Sequence, residues 1–580
     1  MVYKSVLGID INRRGFVLGG ATFAALSAAG CCTVPSQQIS GGCNPMPSPF
    51  LAGPEVMAAW AKSVRYFDAH THFFNAADVP VREFLAKSVA HSITSEQVRK
   101  LVIALAPVAE ALAHLAPTPS LEMGQLCRGA GIRGQLLLDQ TLELDDAIAK
   151  RNQDTADEVY REILRRSPGI PSLVNDVAQR ARNARPGLSS VERPPFSQEF
   201  VREVLRNGAA RGDAIGVIRP QIVEALTVEE LDYARIQNAF QFVGFMLSPR
   251  HHNLRTYIRR FAEHSPSVPL SGCFAAMVDF NYWLDCPDKA SNIRDQVLVH
   301  EQLALLSRGF VMPLVAYNPW VDIQEKDAAI KTVEWAIKDH GCVGVKIYPP
   351  MGFFPYGNEG NPLSGTTEKR PDLKLLDEKL ANLYAMCDKL GVPVMAHANE
   401  SNGRDNVHDK LAGAVGWEAA RTKLTQMSEL HVNAGHFGGA LARADSDWNA
   451  DFVKLMGEKG PLKVYADLGY WDELLTSRKA RDRLKQDLLK TLSLGDLVAD
   501  RTMYGSDWLM LSQVPGWESY ADGVAKVLRG YDTSGDIAER VLGVNVLKCY
   551  GLTQASSRGN FERIKGYYAS SGLRGLPGWM

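Results

Sequence analysis

Beyond about residue 266, short apolar runs alternate with longer stretches whose apolar positions recur at helical spacing. Phe274 to Phe280, Phe310 to Tyr317, Val343 to Tyr348, Val392 to His397, Leu430 to His436, Lys463 to Asp467 and Thr502 to Asp507 read as strands. Asn292 to Arg308, Ala328 to His340, Leu373 to Leu390, Gly416 to Met427, Trp448 to Lys459 and Gln486 to Ala499 read as the helices between them. One earlier run, Val64 to His72, has the same character and brings the strands to eight. Eight βα units close into a parallel (β/α)8 TIM barrel of the α/β class.

Strand one is separated from strand two by a mainly helical stretch, about residues 81 to 265, broken at Pro168, Pro171, Pro194 and Pro195. It reads as an insertion packed over the mouth of the barrel. His251 and His252, in its Arg-rich last part, are expected on a helix surface rather than at a metal. The loop Pro349 to Pro371, with Phe353, Phe354 and Tyr356, is expected to act with the insertion as an apolar lid.

The resulting organisation is an N-terminal segment 1–31, a Pro-, Ser- and Gly-rich arm 32–63, a barrel domain 64–552 and a tail 553–580. In the first segment, Arg13 and Arg14 precede the apolar run Phe16 to Ala29, too short to span a bilayer. It resembles a twin-arginine export signal, which implies the twin-arginine machinery as partner and a periplasmic destination. Ala28-Ala29-Gly30-Cys31 resembles a lipobox, with Ala28 in place of a larger aliphatic residue. Lipidation at Cys31 would be the chain's only membrane attachment.

Composition narrows the partners. Among 580 residues, 64 Lys and Arg balance 65 Asp and Glu, a net charge of -1, so no basic field points to nucleic acid. The nine cysteines have no zinc-finger spacing, and most read as buried thiols. A small-molecule substrate is the remaining expectation.

Candidate chemistry starts at Asp68-Ala69-His70-Thr71-His72. Side chains two apart on a strand share a face, so His70 and His72 are expected side by side, with Asp68 next to them. Two imidazoles so placed can bind one metal ion. Lys346, His397, His436 and Asp507 then fall at the C-terminal ends of strands four, five, six and eight, where a TIM barrel assembles its active site. Taken singly, each has a bland reading as a snorkelling lysine, a core histidine or a turn aspartate.

In order, DAHTH, GVKIYPP, PVMAHANES, NAGHFGG and MYGSDW resemble the amidohydrolase superfamily, in particular its amidohydrolase-related (amidohydrolase 2) branch. The resemblance covers about residues 64 to 550 outside the insertion. It implies a divalent metal, zinc in most members, held by His70, His72, His397 and Asp507. His436 would bind a second ion or polarise the substrate. GVKIYPP is also similar to a segment of dihydroorotases whose lysine is carboxylated and bridges two metals, so Lys346 is a candidate bridging ligand. One essential ion is expected, and a second is admitted.

Such an ion lowers the pKa of water from ~15.7 toward ~7, with Asp507 as proton acceptor and donor and His436 aiding polarisation. Arg404, in the loop after strand five, could clamp a substrate carboxylate, a surface arginine being the alternative. The expected reaction is hydrolysis of an amide, ester or lactone. The same branch contains non-oxidative decarboxylases of aromatic or unsaturated acids, and their first motif often begins with glutamate. Asp68 therefore tilts the reading to hydrolysis. A barrel that has lost catalysis would be expected to lack one of these ligands, and none is missing.

Overall fold

Eight parallel strands pair in chain order, each with the next. They are β1 (Tyr66–Thr71), β2 (Leu270–Ala276), β3 (Val311–Ala316), β4 (Gly344–Ile347), β5 (Val394–His397), β6 (Leu430–Gly435), β7 (Leu462–Asp467) and β8 (Thr502–Met503). The first and last strands close the ring through Ala69 N–H to Tyr504 O at 2.9 Å and Asp507 N–H to His70 O at 2.7 Å. This computed structural model describes residues 3–4, 10–11, 65–92, 113, 116–130, 242, 245–246, 248–285, 291–365, 373–441, 447–489, 497–571, 577 and 579–580. Apart from those short pieces, the segment 1–31 with Arg13, Arg14 and Cys31, the arm 32–63, and most of the insertion lie outside the described residues. No helix among the described residues is long and apolar enough to cross a membrane.

The strands are nearly continuous apolar runs because both faces are covered. Phe67, Ala69, Met312, Met395, Tyr465 and Met503 belong to one buried cluster, together with Tyr550 and Trp579. A larger apolar layer joins the outer faces to the surrounding helices. Residues 553–580, expected as a tail, contain the helix Asn560–Ser570. Beyond it, Trp579 donates to Gly309 O at 2.8 Å and meets Phe67 edge to face. Cys273, Cys342, Cys387 and Cys549 are buried thiols, as expected.

Two strands differ most from their expected limits. The second begins at Leu270 and ends at Ala276, not at Phe280, because pairing of Leu270 with Tyr66 and of Gly272 with Phe67 on β1 carries it back to Leu270. The eighth ends at Met503, since Asp507 takes a left-handed backbone (φ 57°) and the intervening residues bond to β1 one at a time. Where it is described, the insertion is helical, including α1 (Pro119–Ala130) and α2 (Arg250–His264). His251, expected at the surface of α2, is instead buried. α2 lies against β1 and the segment after β8, so more of its circumference is covered than its polar sequence suggests.

Candidate metal centre

Strand β1 does not keep a strict two-residue alternation. Its pairing with β2 shifts register between Asp68 and Thr71. Phe67 and Ala69 pack inside the barrel, and Asp68 turns to α2, where it accepts a hydrogen bond from the Tyr257 hydroxyl at 2.8 Å. The expectation that Asp68 stands beside the two histidines is therefore corrected. Burial raises the Asp68 carboxyl to about 7, against hydrogen bonds from Ser506, Tyr257 and the His70 N–H that favour its charged form.

The wholly buried His70 ring fills a slot cut by three glycines on neighbouring strands. A Cβ at Gly435, Gly469 or Gly505 would come within 3.1, 2.8 or 2.9 Å of His70 atoms. His70 Nδ1 donates to Asp467 Oδ1 at 3.0 Å, and His72 Nδ1 donates to Ala276 O at 2.7 Å. Those partners leave each neutral ring with its lone pair on Nε2. The two Nε2 atoms face each other at 3.2 Å. Asp507 Oδ1 stands 3.3 Å from His72 Nε2 and 3.6 Å from His70 Nε2. Burial drives the His70 imidazolium down to about 3, although Asp467 pulls the other way. Burial also pushes the Asp507 carboxyl up, but His70, His72 and His436 reverse this and hold it below the ordinary value. Three buried, electron-rich atoms thus converge within 4.8 Å of one another, an arrangement that fits a divalent cation.

The other expected residues gather around this trio in different ways. Lys346 is buried with Nζ 3.4 Å from His70 Nε2, and burial lowers its ammonium to about 8 against the pull of Asp467 and Asp507. His436 Nδ1 donates to Gly469 O at 3.0 Å, and its Nε2 lies 3.1 Å from His397 Nδ1. His397 Nε2 in turn meets Ser401 Oγ at 3.0 Å. His397 thus lies beside His436, in a string that runs past the trio. Burial lowers both imidazoles below the ordinary value. His436 and Phe437 adopt left-handed backbone (φ 72° and 46°), as does Asp507. Such outliers in non-glycine residues cluster where a side chain must be aimed. Arg404 is partly buried in the loop after β5.

One residue of this architecture had no expected role. Asp467, at the end of β7, is wholly buried and accepts from His70 Nδ1, His436 N at 3.1 Å and Gly469 N at 2.9 Å on one oxygen. Its other oxygen accepts from Asn433 Nδ2 at 2.9 Å. Burial raises its carboxyl, but His70 and His436 more than offset this and hold it well below the ordinary range. It fixes the His70 tautomer, as outer carboxylates do at histidine metal sites. Its position at a strand end was visible, but its partners are up to 397 residues away in sequence.

In its described part, residues 349–365, the loop after β4 is fastened down. Asp377 accepts from the N–H groups of Gly357 and Asn358 and from Asn358 Nδ2, and Phe353 is wholly buried. Part of the cover comes instead from the start of the insertion, where Ser88 Oγ donates to Asn402 O at 3.0 Å.

Residues 312–552 match the family model described as Amidohydrolase. The match covers less than half of the chain. The matched segment contains Lys346, His397, His436 and Asp507, while strand β1 with His70 and His72 lies ahead of it. Among solved structures, the chain is similar to a probable 2-pyrone-4,6-dicarboxylic acid hydrolase from Acinetobacter baumannii with citric acid bound. Identity is 12%, the TM-score 0.31, and the match covers 51% of this chain and 88% of that one. An amidohydrolase from Burkholderia multivorans with bound HEPES gives 14% identity and a TM-score of 0.32, again over 51% and 88%. No curated protein matches the sequence.

Proposed function

We propose that the protein is a metal-dependent hydrolase of a small-molecule amide, ester or lactone. One observation carries the reading: His70 Nε2, His72 Nε2 and Asp507 Oδ1 converge with both Nδ1 atoms committed elsewhere. Two lone pairs and a carboxylate so close repel one another unless a cation joins them. Zinc suits this nitrogen and oxygen donor set. When bound, such an ion acidifies water and polarises a carbonyl.

The chain's own residues supply the proton handling. Asp507 turns Oδ1 to both histidines, and its second oxygen accepts the proton of the attacking water and returns it to the leaving group. His436, its ring held through Nδ1 by Gly469 O, is assigned to polarising the substrate carbonyl. Arg404 is assigned to a substrate carboxylate at the rim. Asp68, in place of glutamate, favours hydrolysis over decarboxylation.

A second ion is supported by a second facing pair. If His397 donates through Nε2 to Ser401, its Nδ1 lone pair faces His436 Nε2 at 3.1 Å. A carboxylated Lys346, next to His70, would then bridge the two centres. His397 in that case acts as a ligand, as the sequence resemblance implies.

The expected metal content after loading with zinc or manganese is about one to two ions per chain. The loaded protein is expected to release acid from a lactone, ester or amide panel at constant pH, and to lose that activity on chelation. Absence of bound metal would overturn the reading. Release of carbon dioxide from aromatic carboxylates, with none of the hydrolytic substrates turned over, would replace it by decarboxylation.

The same proposal places the enzyme outside the cytoplasm, on the support of Arg13 and Arg14 before an apolar run. Export after folding suits a protein that takes up its metal inside the cell. Substituting both arginines with lysine is expected to trap the precursor in the cytoplasm of a host with a twin-arginine pathway. Undiminished export in fractionated cells would exclude that route.

A further inference from the structure

One contact between the insertion and the metal centre is made by a side chain of α2. Tyr257, on α2, is wholly buried and donates its hydroxyl to Asp68 Oδ2 at 2.8 Å. The opposite oxygen of Asp68 accepts from two backbone N–H groups, His70 at 3.1 Å and Ser506 at 2.9 Å. One of these belongs to a metal donor, and the other to the residue just before the donor Asp507. Next to this junction, Asp507 N–H donates to His70 O at 2.7 Å. Asp68 therefore staples β1 to the segment after β8, at the seam where the donors of two non-adjacent parts of the chain meet.

We propose that Tyr257 is a positioning residue for the metal centre, through which the insertion fixes the relative placement of His70 and Asp507. This rests on the metal reading of the site above. Without the phenol, one oxygen of a wholly buried carboxylate loses its donor, and the carboxylate must turn to recover one. Turning it disturbs the bonds to His70 and Ser506, which set the distance between His70 Nε2 and Asp507 Oδ1. Metal affinity is sensitive to this kind of support, since outer partners that orient ligands contribute about 10–100-fold.

The hydroxyl is separable from packing. The Tyr257 ring stands 5.8 Å from Phe73, 4.8 Å from Phe261 and 5.2 Å from Trp508, centroid to centroid. Phenylalanine keeps those contacts and removes only the donor. The test compares Tyr257→Phe with Phe261→Leu, a packing change on the same helix that leaves Asp68 and its donors intact. Zinc affinity is measured by competition with a chromophoric chelator on the full protein, and melting on the metal-free form. Tyr257→Phe is expected to weaken zinc binding by about 10–100-fold and to shift the visible absorption of the cobalt-substituted protein. Phe261→Leu is expected to lower the melting temperature while zinc affinity stays within about twofold of wild type, because it removes no donor to Asp68. Wild-type affinity in Tyr257→Phe would overturn the proposal, as would an equal loss of affinity in Phe261→Leu. Failure of the wild-type protein to bind zinc would instead overturn the metal reading itself.

Discussion

Replacing Asp507 with asparagine is expected to lower kcat by about 10²–10⁴-fold at saturating metal while the metal-free protein melts as wild type does. The fold tolerates the change for a specific reason. Asp507 has a left-handed backbone (φ 57°), which asparagine adopts as readily as aspartate does. Its N–H still reaches His70 O, so the closure between β1 and the segment after β8 survives. What is lost is charge. Asparagine offers one neutral oxygen where a carboxylate faced His70 and His72, and it cannot accept and return a proton at neutral pH. Zinc affinity is expected to fall too, so turnover is read across a metal titration. A plateau rate equal to wild type would remove Asp507 as the proton carrier.

The barrel was legible because its strands are short apolar runs at regular intervals, each followed by a helical pattern. Six of the eight strand centres fall where the periodicity puts them, within about a residue. The second is displaced because Ser271 and Gly272 look like turn residues, although pairing with β1 holds this end of the strand in the sheet. Strand ends also led to His70, His72 and Asp507, which the fold brings into contact, and to Lys346, His397 and His436, which it places close by.

What lay beyond reach was carried by long-range contacts. Asp467 is a single aspartate at the end of an ordinary strand, and nothing within four residues marks it as the partner of His70 and His436. Asp68 reads as a neighbour of His70 by strand alternation, and only the register shift in β1 turns it to Tyr257, 189 residues away. Periodicity assumes a regular ladder, so it fails where a strand is bent to serve a site. Arg404 is a loop residue with no periodic frame, so sequence gives its neighbourhood and nothing finer.

The largest stability effect is expected at Arg250, far from the reacting atoms. Its guanidinium is wholly buried, paired with Asp78 on one side and Glu122 on the other. Arg250 N–H also donates to Glu122 Oε2 at 2.8 Å, and Ser291 Oγ donates to Asp78 Oδ1 at 2.6 Å. The network joins the turn after β1, α1, α2 and the segment before the helix Ile293–Leu306, so the insertion is pinned beside the metal strand. Arg250→Ala would leave two buried carboxylates without their cation, at a cost of about 3–5 kcal/mol in chemical denaturation.

The pH dependence of that loss has a definite sign. Burial raises the Glu122 carboxyl above its ordinary value even with Arg250 beside it. A raised acid favours the folded state fully below its unfolded pKa, and that contribution is lost as pH rises through the folded value. Without the guanidinium the folded value rises further. The deficit of Arg250→Ala is therefore expected to be largest near neutrality and to shrink as pH falls toward 5. Adding Asp78→Asn and Glu122→Gln to Arg250→Met is expected to recover most of the stability, because the charges leave together. A cost under about 1 kcal/mol for Arg250→Ala at neutral pH would show that the three charges do not act as a unit.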